Sequence, residues 1–275
     1  MSLRTVLVHA AEDGRNADRV GLACDLVAKD GGTVAGLFVK PYPIVVPAMP
    51  PGGAVTVIED LRGVFEEAER RAKAIFDKVT RSKGVTAEWR TDEGESSNCL
   101  AFQSRYADLT VVGQWSPDDP TDPGPIDLGA AVALDAGRPV LVVPYAGKVS
   151  ADWKRVMVGW DGSRAATRAV HDAMDFLIAA ERVDIVCIDP EDSAGRDPGA
   201  DIAAHLAHHG VKADAHGMPS GGLGAADALI SASSDLGADL MVMGAYGHAR
   251  FRELVFGGVT RRVLEHMPIP VLMSH

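Results

Sequence analysis

The chain has 275 residues, with 38 acidic against 27 basic side chains and a formal net charge of −11. That length supports one large domain or two ordinary ones, and the acidic balance argues against a general binder of nucleic acid or anionic membrane, since both need basic surface. Three scattered cysteines without a CxxC pair fit buried free thiols in a reducing compartment; with no signal-like start and no apolar run that could span a bilayer, a cytoplasmic protein without membrane insertion is the expectation.

Thr5–His9 (TVLVH) is expected to be a buried strand. Asn16–Lys29 follows with apolar residues at helical spacing (Ala17, Val20, Cys24, Val27, Ala28), stopped by Gly31 and Gly32. A second strand, Thr33–Val39, leads into a proline- and glycine-rich surface loop, Tyr42–Gly53, whose Ile44, Val45, Val46 and Met49 are expected to cover a neighbouring surface. A long helix comes next, its apolar stripe formed by Val57, Leu61, Val64, Phe65, Ala68, Ala72, Ile75, Phe76 and Val79. Val85–Arg90 is a third strand, Ser97–Tyr106 a short helix, and Leu109–Val112 and Pro139–Val143 the fourth and fifth strands. Strands alternating with helices imply a parallel sheet covered on both faces.

The pattern then restarts. Val156–Gly159 matches the first strand, and the expected order is helix 164–179, strand 183–188, helix 199–208, strand 211–216, helix 223–236, strand 240–243, helix 259–267 and strand 269–273. ADLTVVG ends at Gly113 and ADLMVMG at Gly244, and RPVLVV and IPVLMS begin at Arg138 and Ile269; both pairs share one offset of 131 (244 − 113, 269 − 138). At the first strands the offset is 150 (156 − 6), so the first unit carries the longer front part. A linker near Pro144–Trp153 separates two α/β units of the same doubly wound type, residues 1–146 and 152–275.

Between two apolar runs of the second unit lies GAYGHARFRELVFGGVT, Gly244–Thr260. Gly244 and Gly247 leave the end of one strand, and Gly257 and Gly258 precede a helix that opens with Val259 and Thr260. Glycines let backbone approach a ligand closely, and the free N–H groups of a helix N-terminus suit a phosphate. The P-loop spacing is absent from the chain. Two loops with glycines serving tight turns are the alternative reading.

VMVGWDGS (Val156–Ser163) and the glycine stretch resemble the universal stress protein family, whose nucleotide pattern is G-x-x-G, nine residues, then G-[ST]. Gly244, Gly247 and Gly257 fit it; Gly258 stands where the family has serine or threonine. The resemblance covers the chain as a tandem pair. It implies five parallel strands in order 3-2-1-4-5 per unit, pairing of the units through their last strands, and ATP binding, with or without Mg2+, in a stress-associated regulatory protein with little or no catalysis. It also implies nucleotide contacts from Asp161 and from the backbone near Cys187, while Met243 would line the base pocket. In that strand order a ligand sits at the strands' carboxyl ends between the first and fourth strands, which Asp161 and Gly244 follow.

Each residue also has a plainer role. Asp161 is an acceptor for a nucleoside donor or a neighbour of a helix cap, and Thr260 a substitute for the missing hydroxyl or a cap. Cys187 and Met243 also fit ordinary strand packing. His248, Arg250 and Arg252 fit a solvated loop, and Asp189 and Asp192 structural loop positions. His205, His208 and His209 share a helix face without a matching cysteine or carboxylate set, so a polar helix end is expected there and no metal. In the first unit Ala11, Ser116, Ile126 and Asp127 occupy the places of Asp161, Gly247, Gly257 and Gly258, and only Gly113 survives, so that half is expected to be a structural partner. One adenine nucleotide per chain follows, with an unidentified protein partner and an intrachain pseudo-dimer that is compatible with a further homodimer. The competing readings are a slow ATP hydrolase or nucleotidyl enzyme, and an interaction module that binds no nucleotide.

Overall fold

The structure, a computed structural model, describes residues 2–42, 53–117, 128–190, 199–246 and 258–275, with side chains left out at 53–61. The first half comprises β1 (Thr5–His9), α1 (Asn16–Ala28), β2 (Thr33–Lys40), α2 (Gly53–Lys83), β3 (Thr86–Glu93), α3 (Ser96–Ser104), β4 (Leu109–Gly113), α4 (Leu128–Ala136) and β5 (Val140–Val143). The second comprises β6 (Arg155–Gly159), α5 (Arg164–Asp172), α6 (Met174–Ala179), β7 (Arg182–Ile188), α7 (Ala200–His208), β8 (Ala213–Met218), α8 (Ala225–Asp235), β9 (Leu240–Gly244), α9 (Gly258–His266) and β10 (Val271–Ser274).

All ten strands join one sheet in the order β3-β2-β1-β4-β5-β10-β9-β6-β7-β8. Each half is parallel within itself and has the order 3-2-1-4-5. The halves meet where β10 runs antiparallel to β5, with Val271 opposite Val142 and Met273 opposite Val140. The last strands therefore pair as the family resemblance implies, and each half covers a sheet edge of the other.

Central strands are apolar on both faces because helices cover both. On one face Val6, Val8, Val156 and Val158 pack with Val20 and Val27 of α1, Phe76 of α2, Val170 of α5 and Leu206 of α7. On the other, Leu7, Met157, Val142 and Met273 pack with Leu100 of α3, Val132 of α4, Leu229 of α8 and Leu264 of α9. Equivalent helices of the two halves share a face while their strands run in opposite directions. The pseudo-two-fold axis is therefore perpendicular to the sheet, and the carboxyl ends of the two strand sets point to opposite edges.

Several sequence expectations need correction. The single helix expected over 164–179 is two, broken at Ala173, where φ is −90° and ψ is 0°. Helix α4 (Leu128–Ala136) has no counterpart among the expected elements. The strand expected at 211–216 lies at Ala213–Met218. In α1, Ala17 is exposed while Asn16 and Arg19 are buried. In α2, Ala68, Ala72 and Phe76 form the buried face, and Val64 points to solvent. The apolar residues 44–46 and 49 of the expected surface loop lie outside the described residues.

Candidate functional site

The site of the second half begins with sheet register. β6 pairs with β9 so that Gly159 lies opposite Met243, and with β7 so that Gly159 lies opposite Val186. Strand order reverses between β6 and β9, the place where an open α/β sheet leaves a crevice at its carboxyl edge. Asp161 leaves β6 and Gly244 ends β9, so residues far apart in sequence flank one switch point.

Asp161 is exposed, and its Oδ1 accepts a hydrogen bond from Ser163 N at 2.9 Å. The cap of α5 is Ser163, whose Oγ accepts from Ala166 N at 3.1 Å. Asp161 thus shapes the turn into the helix while Ser163 caps it. Cys187 is buried at the end of β7, where burial raises its thiol pKa and the Asp161 charge raises it further. Met243 is buried against the other face of the sheet. Both side chains pack as ordinary strand residues. Asp189 has a left-handed backbone, φ 43°, and its Oδ1 accepts from Ser220 N at 2.8 Å; hydrogen bonding to Ser220 lowers its pKa. That confirms a structural role for this loop carboxylate.

Gly244 has a packing role that the sequence did not reveal. A Cβ there would lie 2.5 Å from Ala166 N and 2.7 Å from Ala165 C. The first turn of α5 comes directly against the strand end, so the glycine admits a helix backbone. Gly258 is different: it opens α9, and a Cβ there would meet nothing within 4 Å. Val259 beside it is exposed. Thr260 is buried, and its Oγ1 accepts from Tyr246 N at 3.3 Å, tying the chain leaving β9 to the first turn of α9. Tyr246 itself has φ 54°, a conformation uncommon for a side-chain-bearing residue. Gly247, Gly257, His248, Arg250, Arg252 and Asp192 lie outside the described residues.

The equivalent crevice of the first half is filled from within. Arg19 of α1 is buried; its Nε donates to His9 O at 3.2 Å and its Nη1 to Asp13 Oδ1 at 2.8 Å. A Cβ on Gly113 would touch that Nη1 at 2.7 Å. His9 ends β1 and Gly113 ends β4, so the guanidinium lies across the switch point. His9 is buried beside it, and its pKa is lowered to about 4 by burial and then by the Arg19 charge. A cavity of about 160 Å³ remains between α1 and the ends of β4 and β5, smaller than the roughly 300 Å³ at which ligand pockets begin. Arg19 and Asp13 lie in no motif, and no sequence signal marks their meeting. Ala11 is buried; Ile126 and Asp127 lie outside the described residues.

Residues 223–275 match the model of the Universal stress protein family. Universal stress protein Slr1230 of Synechocystis sp. is 46% identical over 48 residues, which are 18% of this chain and 17% of that protein. The crystal structure of a universal stress protein from Archaeoglobus fulgidus aligns over 100% of this chain and 96% of its own, with a TM-score of 0.72 and 17% identity. A protein of unknown function from Pseudomonas aeruginosa PAO1 aligns over 98% and 92%, with a TM-score of 0.56 and 15% identity. At those identities the likeness is one of fold. Residues 223–275 thus carry a universal stress protein match, and the ten-stranded sheet of two five-strand halves gives the whole chain the fold of a tandem two-domain universal stress protein.

Proposed function

We propose that residues 152–275 form a domain that holds one adenine nucleotide, ATP with or without Mg2+, and that residues 1–146 form its nucleotide-free structural partner. The observation that carries this reading is the β6–β9 register, which sets Asp161 and the end of β9 at the same switch point. Asp161 offers an exposed carboxylate to a ribose or adenine donor. The N-terminus of α9 offers backbone N–H groups and a positive dipole end, with open space at Gly258 for a phosphate to approach. Asp161, Cys187, Met243, Gly244, Gly247, Gly257, Gly258, Val259 and Thr260 are the proposed surround of the nucleotide, with Gly244 acting through the packing of α5.

The protein would then be a nucleotide-dependent regulator of a stress response with little or no catalysis. Its partner would be another protein, since no helix among the described residues is long and apolar enough to cross a membrane and the net charge is −11. The three cysteines are free, which fits a cytoplasmic location. Mass spectrometry of nucleotide released from purified protein tests the ligand, and single-turnover analysis of bound ATP tests catalysis. Recovery of ATP unchanged after many minutes supports a binding protein. Stoichiometric ADP formation dependent on Asp161 would make it a slow hydrolase. No recovered nucleotide and no titratable ATP binding would leave an interaction module.

A further inference from the structure

Helices run opposite to the strands in this fold, so the C-terminal ends of α5 and α7 lie at the sheet edge away from the β6–β9 crevice. Three histidines gather there. His171 is in the last turn of α5, His205 is in the last turn of α7, and His209 caps α7. The His205 ring centre lies 5.4 Å from that of His171 and 5.0 Å from that of His209, both in edge-on contacts. His208, which the sequence places on the same helix face, is exposed and lies outside these ring contacts.

His205 Nε2 is buried and has no hydrogen-bond partner among the described residues. An unpartnered buried ring nitrogen costs free energy that a ligand or a metal ion would recover. His205 and His209 are four residues apart and neighbours on one helix surface, a spacing that lets two imidazoles reach one ion. Two imidazoles on one tetrahedral zinc, each bound at about 2.1 Å, have ring centres about 5 Å apart, close to the separations here. The negative dipole end of α7 favours a cation at the same place. Among the described residues no group of three or more His, Cys, Asp or Glu side chains is placed so that it could hold a metal ion as it stands, so the site requires the rings to turn from edge-on stacking toward a common ion.

From this arrangement we infer that His205 and His209 chelate one borderline divalent transition metal, zinc, nickel or copper(II), with His171 turning in from α5 as the third ligand. Imidazole donors select these metals over magnesium and calcium, which prefer oxygen. The site is independent of nucleotide and stands apart from the proposed ATP crevice.

The test is titration of the full chain, free of nucleotide, with zinc chloride, followed by calorimetry and native mass spectrometry. Four variants are compared: His171→Gln, His205→Gln, His209→Gln and, as control, His208→Gln. All four positions are at least partly exposed, so the variants should fold, and circular dichroism checks this. The expected result is one zinc per chain, with each of the first three variants weakening it about tenfold or more and His208→Gln leaving it unchanged. Full affinity in His171→Gln overturns the third ligand. Absence of stoichiometric zinc binding, or equal losses from His208→Gln and His205→Gln, overturns the site.

Discussion

Gln114 Nε2 donates to the carbonyl of Leu264 at 2.8 Å, across the boundary between the two halves. Its Oε1 accepts from Tyr145 N at 3.0 Å, so one buried amide ties the ends of β4 and β5 to the last turn of α9. The Leu264 carbonyl belongs to the group that a helix terminus leaves without an intrahelical donor. At the 131-residue offset the second half has Ala245, which cannot return the bond. One domain therefore caps the tail of the helix whose head faces the proposed phosphate site.

Replacing Gln114 by alanine removes that cap and strands a buried acceptor, a loss of about 1–3 kcal/mol. In a chain of this size that corresponds to a melting-temperature drop of about 2–4 °C per kcal/mol. Calorimetry of the variant decides it: an unchanged melting point would mean that the amide bridge contributes nothing net.

Gly244 and Gly258 stood together in the sequence as phosphate glycines, and the structure separates them. Gly244→Ala must push α5 backbone off the strand end, at a cost of about 1–3 kcal/mol from overpacking. Gly258→Ala meets open space and, in the first turn of a helix, should leave stability unchanged or raise it by up to about 1 kcal/mol. Under the proposed function Gly258→Ala nevertheless weakens ATP by lining the approach with a methyl group. Urea melts and ATP titrations of both variants check this. Equal destabilisation by the two substitutions would refute the separation.

The constant offset across the last two strands made the two-unit repeat legible, while the β5–β10 pairing was implied by the family resemblance, since a repeat alone does not say which edges meet. Alternating apolar runs made most strands legible too. Helix α4 escaped because LGAAVALDA is buried at Leu128, Gly129, Ala130, Val132, Ala133 and Ala136, which leaves no polar face to create a helical period. The break at Ala173 escaped because alanine favours helix and gives no stop signal. The Arg19–Asp13 pair and the approach of His171 to His205 depend on tertiary placement, and periodicity carries no information about either. The switch point between β6 and β9 was legible because it follows from strand order alone, whereas the service of Gly244 to α5 needed coordinates.

His9 gives the first domain a pH dependence. Its folded-state pKa is lowered from 6.5 to about 4, chiefly by burial, so the unfolded chain takes up this proton first. Stability is then full above about pH 6.5 and falls as the pH drops toward 4, by about 3 kcal/mol in all, before the slope ends. His9→Gln keeps a neutral polar side chain and should flatten the slope between pH 4.5 and 6.5. Parallel slopes in denaturant melts of wild type and variant would contradict this.

The contrast between Asp161 and Ala11 fixes the expected stoichiometry. Asp161 is exposed, whereas Ala11 is buried beside a switch point that Arg19 crosses. Losing one hydrogen bond to a charged acceptor costs about 1.5–3 kcal/mol, so Asp161→Ala should weaken ATP roughly ten- to hundredfold. Ala11→Asp should create no second site, because the crevice of the first half stays filled and a new carboxylate there is buried. Arg19→Ala opens that space but leaves Asp13, with only 10% of its side chain exposed, without its cation. Breaking such a pair from one side costs about 3–5 kcal/mol, so the outcome is a destabilised first domain and still no nucleotide there. Calorimetric titration with ATP should give one site per chain in wild type, Ala11→Asp and any folded Arg19→Ala, and a weakened site in Asp161→Ala. Two sites in wild type, or a site that survives Asp161→Ala unweakened, would place the nucleotide elsewhere.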